Sequence, residues 1–230
     1  MKTIGLVGGM SWESTAEYYR IINQRVKQKA GGFHSAKIVM YSVDFEEVES
    51  RQHRGQWQEL TALMIGAARR VEGAGADILV ICANTMHKMA DEVQRSIGIP
   101  LLHIADVTAE AVKARSFKTV GLLGTRYTME QDFYKERLRL KHGLEVIIPG
   151  EKERDLIHAI LYNELCLGEI KEKSRRAFQE IIAGLEAQGA QGIILGCTEI
   201  PLIVSQKDFR IPLFDTTTLH AEAAVDYALS

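Results

Sequence analysis

Two stretches decide the fold: GADILVICANT at residues 75–85 and GAQGIILGCTE at residues 189–199. Each opens on Gly-Ala, passes through a short run of Ile, Leu and Val, and ends on small hydroxyl, amide or acidic side chains. An apolar run of this length, set between glycine and polar punctuation, predicts a buried strand of a parallel sheet. The two stretches can be laid on one another, and they have companions. TIGLVG at 3–8 resembles TVGLLG at 119–124, and IPLLH at 99–103 matches IPLFD at 211–215. The three offsets are 116, 114 and 112 residues, so the matches keep their order and nearly constant spacing. Any one match could arise between unrelated strands; together they predict an internal duplication into two similar halves.

Segments with helical periodicity separate the strands. Ser14 and Glu17 fit a capping box, and Tyr18, Ile22 and Val26 recur on one face, which predicts a helix from about Ser14 that stops at Gly31-Gly32. Residues 36–43 read as the next strand. Residues 57–71 read as a helix with Leu60, Met64, Ala67 and Val71 on one face, and residues 77–82 as a third strand. Strands alternating with helices imply right-handed βαβ units. The expected fold is α/β, two pseudo-symmetric domains with mainly parallel sheets, one formed by residues 1–103 with 214–230 and the other by 104–213. Facing halves would bring the carboxyl ends of their strands to a shared cleft, where ligands bind in open α/β sheets.

Composition narrows the function. The 230 residues are 46% hydrophobic and 25% charged with a net charge of −2, which suits a globular protein and gives no nucleic-acid or membrane surface. The apolar run at the N-terminus is too short for a signal peptide, and no stretch could span a bilayer. Three cysteines, Cys82, Cys166 and Cys197, include no closely spaced pair, which argues against a disulfide framework or a zinc site. The seven histidines show no HxxxH or HExxH spacing, so no catalytic metal is expected. A cytoplasmic protein with reduced thiols is the expectation.

Residues 8–11, 83–85, 125–128 and 197–198 fall at the carboxyl ends of strands. Their small hydroxyl and amide side chains suit a zwitterionic or multiply carboxylated ligand. Cys197 directly follows the run GIILG, and a thiolate there could act as nucleophile or general base if neighbouring dipoles lower its pKa. Inverting an α-carbon needs two acid/base groups on opposite sides of the substrate. The duplication sets Ala83 at the position equivalent to Cys197 and Cys82 at that of Gly196, and alternation along a strand turns Cys82 away, into the packing. Asn84 and Thr85 could bind a carboxylate or cap the next helix. Residues 8–11 form a turn without dinucleotide-binding spacing. His87 is expected to be structural, Cys166 to belong to the core, and Arg51 and Arg54, flanking Gln52, to be solvated.

The segments GLVGGMSWEST (5–15), CANTMH (82–87), GTRYTM (124–129), YNELCLG (162–168) and GCTEI (196–200) give the chain a nearly end-to-end resemblance to the aspartate/glutamate racemase family. That resemblance implies two α/β domains, a homodimer, and catalysis with neither pyridoxal phosphate nor metal. It also implies two opposed cysteines, one before Asn-Thr and one in GCTE. Transferred by motif, Cys197 is the second of these, and Met10, Gln52, Asn84, Thr85, Thr125, Tyr127, Thr128, Glu164 and Thr198 are substrate-binding candidates. Ala83 departs from the pattern, since alanine cannot carry a proton. The chain then exchanges the α-proton on one face only, or runs a reaction that needs one thiol, or carries a laboratory replacement at position 83. The alternatives to racemisation of aspartate or glutamate are a single-cysteine decarboxylase or cis–trans isomerase of dicarboxylic acids, and a dicarboxylate-binding protein without catalysis.

Overall fold

The computed structural model describes all residues from 1 to 230, which group into two compact units. The first comprises Met1–His103 with His220–Ser230 and the second Ile104–Leu219.

The first unit runs β1 (Ile4–Gly8), α1 (Trp12–Ala30), β2 (Ile38–Ser42), α2 (Phe45–His53), α3 (Trp57–Gly73), β3 (Ile78–Ile81), a 3-10 turn (Thr85–Met89), α4 (Ala90–Ser96) and β4 (Leu101–Leu102). Its sheet is wholly parallel in the order β2-β1-β3-β4, with Leu6 registered against Met40 on one side and Val80 on the other. Alternation assigns each strand residue to one of two cores. Ile4, Leu6, Ile78, Val80 and Cys82 pack with Tyr18, Ile22 and Val26 of α1 and with Ala221, Ala224 and Val225 of the chain's last helix. Val7, Leu79, Ile81 and Ala83 pack instead with Leu60, Met64, Ala67 and Val71 of α3. Burying each large aliphatic side chain contributes about 1.5–3 kcal/mol.

α1 starts earlier than its sequence suggests. Its N-cap is Ser11, whose side chain accepts from the Ser14 backbone N–H, while Ser14 and Thr15 hydroxyls donate to the Ser11 carbonyl. The expected capping box is absent because, with Ser11 as N-cap, Glu17 lies beyond the first turn, where it pairs with Arg20. The β1–α1 turn is tight: Gly9 has φ +91°, and a Cβ there would lie 2.3 Å from the Val43 carbonyl oxygen. Gly31 is the C-cap, as the double glycine predicts.

The second unit runs α5 (Ile104–Ala114), β5 (Thr119–Gly124), α6 (Arg126–Glu130), α7 (Asp132–Glu136), a π-helical turn (Arg137–Lys141), β6 (Glu145–Ile147), α8 (Glu151–Asn163), a 3-10 turn (Leu165–Leu167), α9 (Glu172–Ala187) and β7 (Ile193–Gly196). Two further 3-10 turns (Ile200–Leu202 and Gln206–Asp208), β8 (Leu213–Asp215) and α10 (Thr216–Leu229) complete the chain. The parallel sheet order is β6-β5-β7-β8, the order of the first sheet repeated. β3 and β7, the two stretches matched in sequence, hold equivalent places. Leu123, Ile193 and Leu195 pack against α8 and α9, and Leu122, Ile194 and Phe214 against α5 and Tyr134.

The sequence reading returns the chain to its first half at 214. The units divide between Leu219 and His220, because β8 is the edge strand of the second sheet. No helix is long and apolar enough to cross a membrane.

Candidate active site

Cys197 follows Gly196 at the carboxyl edge of β7 and is 8% exposed. Its Sγ donates to Oε2 of Glu199 at 2.9 Å, and the Thr198 hydroxyl donates to the same oxygen at 3.0 Å. The local backbone explains the geometry. Ile200 N–H donates to the Cys197 carbonyl and Leu202 N–H to that of Glu199, so the strand turns at once into a tight helical turn that folds the carboxylate back over the thiol. Burial holds the Cys197 thiol well above its ordinary pKa, and the charges at Glu199 and Cys166 raise it further. At rest it is a protonated thiol hydrogen-bonded to a buried carboxylate.

The adjoining strand β5 supplies two of the expected residues. Thr125 is the N-cap of α6 and accepts from the Thr128 N–H, with the two hydroxyls 3.2 Å apart. Thr128 leans on the end of β7, where a Cβ on Gly196 would lie 3.3 Å from its methyl. Thr125, Thr128, Cys197 and Thr198 therefore gather at one sheet edge. Tyr127 is half-buried and meets His158 of α8 edge-on. Glu164 is placed differently: it accepts from the Ser174 hydroxyl at 2.5 Å, lies 3.7 Å from Lys171, and lines a groove between α8 and α9.

In the first unit, Met10 and Ala83 belong to the core on the α3 side of the sheet, and Gln52 reaches that core through Met86. Met10, Ala83 and Met86 share one core cluster, and Gln52, 4% exposed, donates to the Met86 sulfur at 3.3 Å. Asn84 and Thr85 are buried at the head of the turn that follows β3, and Asn84 makes no side-chain cap to it. His87 bonds through Nδ1 to the Ala83 carbonyl at 2.8 Å, a partner that only accepts, so this nitrogen carries the hydrogen. Cys82 is fully buried on the opposite side of the sheet from Ala83, and burial pushes its thiol up.

Two expectations change. Cys166 is not a core residue: it is half-buried on the 3-10 turn after α8, close enough for its charge to act on Cys197. The stretch holding Arg51, Gln52 and Arg54 is not uniformly solvated. Arg51 pairs with Glu59, Arg54 stays at the surface, and Gln52 between them points inward because α2 turns that face to the core. The sequence alone does not mark Glu199 as a partner for Cys197. Its proximity in GCTE is the one signal that could have found it: residues i and i+2 share a face of an extended chain but stand roughly 6.6 Å apart, and the turn that follows β7 closes that gap. No group of three or more His, Cys, Asp or Glu is arranged to hold a metal ion.

A sequence profile described as Asp/Glu/Hydantoin racemase matches residues 7–224. The broad specificity amino-acid racemase RacX of Bacillus subtilis (strain 168) is 24% identical, with 99% of this chain and 98% of RacX covered. The crystal structure of a candidate Asp/Glu racemase from Yersinia pestis is 56% identical, with a TM-score of 0.93 and both chains covered completely. That of an aspartate racemase homologue from Pyrococcus horikoshii OT3 is 34% identical, with a TM-score of 0.86 and both chains again fully covered.

Proposed function

Since the chain belongs to the Asp/Glu/Hydantoin racemase family, we propose that it acts on the α-proton of aspartate or glutamate, with Cys197 as its working acid/base and no side-chain partner at Ala83. The observation that carries this reading is the hydrogen bond from the Cys197 thiol to the buried Glu199 carboxylate. In the donor direction the raised pKa keeps a proton on sulfur, ready for a carbanion. In the acceptor direction the thiol first passes its proton to Glu199. The resulting thiolate takes the α-proton, and the C–H electron pair moves onto the substrate carboxylate as an enediolate. In the second unit Thr125, Thr128 and Thr198 offer hydroxyls as candidate ligands for a substrate carboxylate, with hydrogen bonds that strengthen as charge develops, and in the first unit Asn84 and Thr85 offer an amide and a hydroxyl of the same kind. Residues alone would move the proton, without pyridoxal phosphate or metal. Return of a proton on the other face would fall to water, which makes exchange faster than inversion. The alanine also favours a second reading, a decarboxylase or cis–trans isomerase of dicarboxylic acids that needs one thiol. A homodimer is the assembly this family reading carries, to be measured by sedimentation velocity.

The test is α-hydrogen exchange in D2O, followed by NMR for both enantiomers of aspartate and of glutamate, beside Cys197→Ser. Exchange of one enantiomer, lost in the variant, supports the reading. No exchange of any of the four refutes it in favour of the single-thiol chemistry or of binding alone.

A further inference from the structure

The end of strand β8 brings a fourth threonine to the Cys197 edge. The β7–β8 pairs are Ile193 with Leu213, Ile194 with Phe214 and Leu195 with Asp215. The pairing ends there, and just past it Thr217 lies in the first turn of α10 as Cys197 lies just past β7, both at the carboxyl edge of this sheet. The β5–β7 register, which ends at Gly124 with Gly196, sets Thr125 on the other side in the same way. The head of α10 is tied to the end of β7, because the Thr216 hydroxyl donates to the Leu195 carbonyl at 2.8 Å.

The three hydroxyls at the head of α10 are not equivalent. That of Thr216 is taken by Leu195, and that of Thr218 donates to Asp215 Oδ2 at 2.6 Å. The Thr217 backbone N–H is also satisfied, by Asp215 Oδ1 at 3.0 Å. Its hydroxyl oxygen, in a residue only 3% exposed, is buried without any hydrogen-bond partner. A buried hydroxyl left unpaired opposes folding, whereas valine, of the same shape, would carry no such cost. A ligand group arriving at the Cys197 edge would supply the missing partner.

We propose that Thr217 is a further substrate-binding residue of the Cys197 site, its hydroxyl donating to a carboxylate of the ligand. This rests on the reading of the site as one for dicarboxylic amino acids. The helix start does not provide that contact itself, since Asp215 already occupies the N–H groups of Thr217 and Thr218.

The test compares the full chain with Thr217→Val and Thr217→Ser by calorimetric titration with succinate, L-aspartate and D-aspartate, alongside thermal unfolding. Thr217→Val should weaken succinate and aspartate alike by about tenfold or more, as loss of one hydrogen bond to a charged acceptor does. It should unfold at the same temperature as the parent or higher, and Thr217→Ser should bind like the parent. Unchanged binding in Thr217→Val overturns the proposal while leaving the family reading intact. Loss confined to aspartate, with succinate unaffected, also overturns it, because the hydroxyl would then serve the ammonium group. A parent chain that binds none of the three overturns this proposal, and the α-hydrogen exchange of glutamate then decides the family reading separately.

Discussion

Gly124 and Gly196 face one another in register at the carboxyl ends of β5 and β7, so closely that a Cβ on Gly124 would stand 2.8 Å from the Gly196 carbonyl oxygen. A Cβ on Gly196 would meet the Leu123 carbonyl oxygen at the same distance. Backbone, not a flexible side chain, blocks both positions. The pair allows the strand ends to close up just before Cys197 and Thr125. Gly196→Ala is therefore expected to destabilise the chain by about 1–3 kcal/mol through overpacking. Urea unfolding measures this, and an unchanged midpoint would show that the close approach does not exist in solution.

The thiol–carboxylate pair sets the pH behaviour of Cys197. Burial and the Glu199 charge both raise its pKa, so alkylation by iodoacetamide should be slow at neutral pH. Glu199→Gln removes one of the two leading causes, and the onset of alkylation should move to lower pH. The same variant should slow α-proton exchange by about 10²–10⁴, the range of a lost proton acceptor. Faster exchange in Glu199→Gln would mean that the carboxylate restrains the thiol and does not assist it.

Ala83 is 7% exposed within a cluster that includes Val7, Met10 and Met86. Ala83→Cys adds one sulfur and should supply a second acid/base group, converting exchange of one enantiomer into interconversion of both. Chiral chromatography of the product measures the outcome. Continued exchange without inversion in a folded Ala83→Cys chain would show that this position does not supply the second proton.

Tyr18, Leu102 and His220 tie three elements of the first unit together. His220 Nε2 donates to the Leu102 carbonyl at 2.9 Å, which leaves Nδ1 to accept from the Tyr18 hydroxyl, also at 2.9 Å. Burial, and then the His87 charge, press the imidazole down to about 3 from its ordinary 6.5. Above 6.5 the ring is neutral whether the chain is folded or not. As pH falls below 6.5 the unfolded chain takes up a proton that the folded ring refuses until about 3. Stability is thus full above 6.5 and declines across that window, by up to about 1.4 kcal/mol per pH unit. Denaturation at pH 7, 6, 5 and 4 should show a shallower decline in His220→Gln than in the parent. Parallel slopes would mean that the ring is charged in the folded chain.

Much of this molecule is written in its sequence. The duplication, the parallel strands and the split of Cys82 and Ala83 onto opposite faces all follow from repeats and from period-two alternation, which a strand cannot escape once its register is set. The position of Cys197 at a strand end follows from the same local pattern. What the chain could not disclose is the choice of partners. Ser11 and not Ser14 caps α1, Gln52 turns inward between two outward arginines, and Glu199 reaches back to its neighbour's thiol. Cys166 approaches Cys197 from another element, and the Thr217 hydroxyl is left over when Thr216 and Thr218 find acceptors. Hydrophobic periodicity is a property of neighbouring residues, so it survives without the fold. Hydrogen-bond pairing, burial of charge and the pKa shifts they cause depend on which distant groups arrive within about 3 Å, and only tertiary packing decides that.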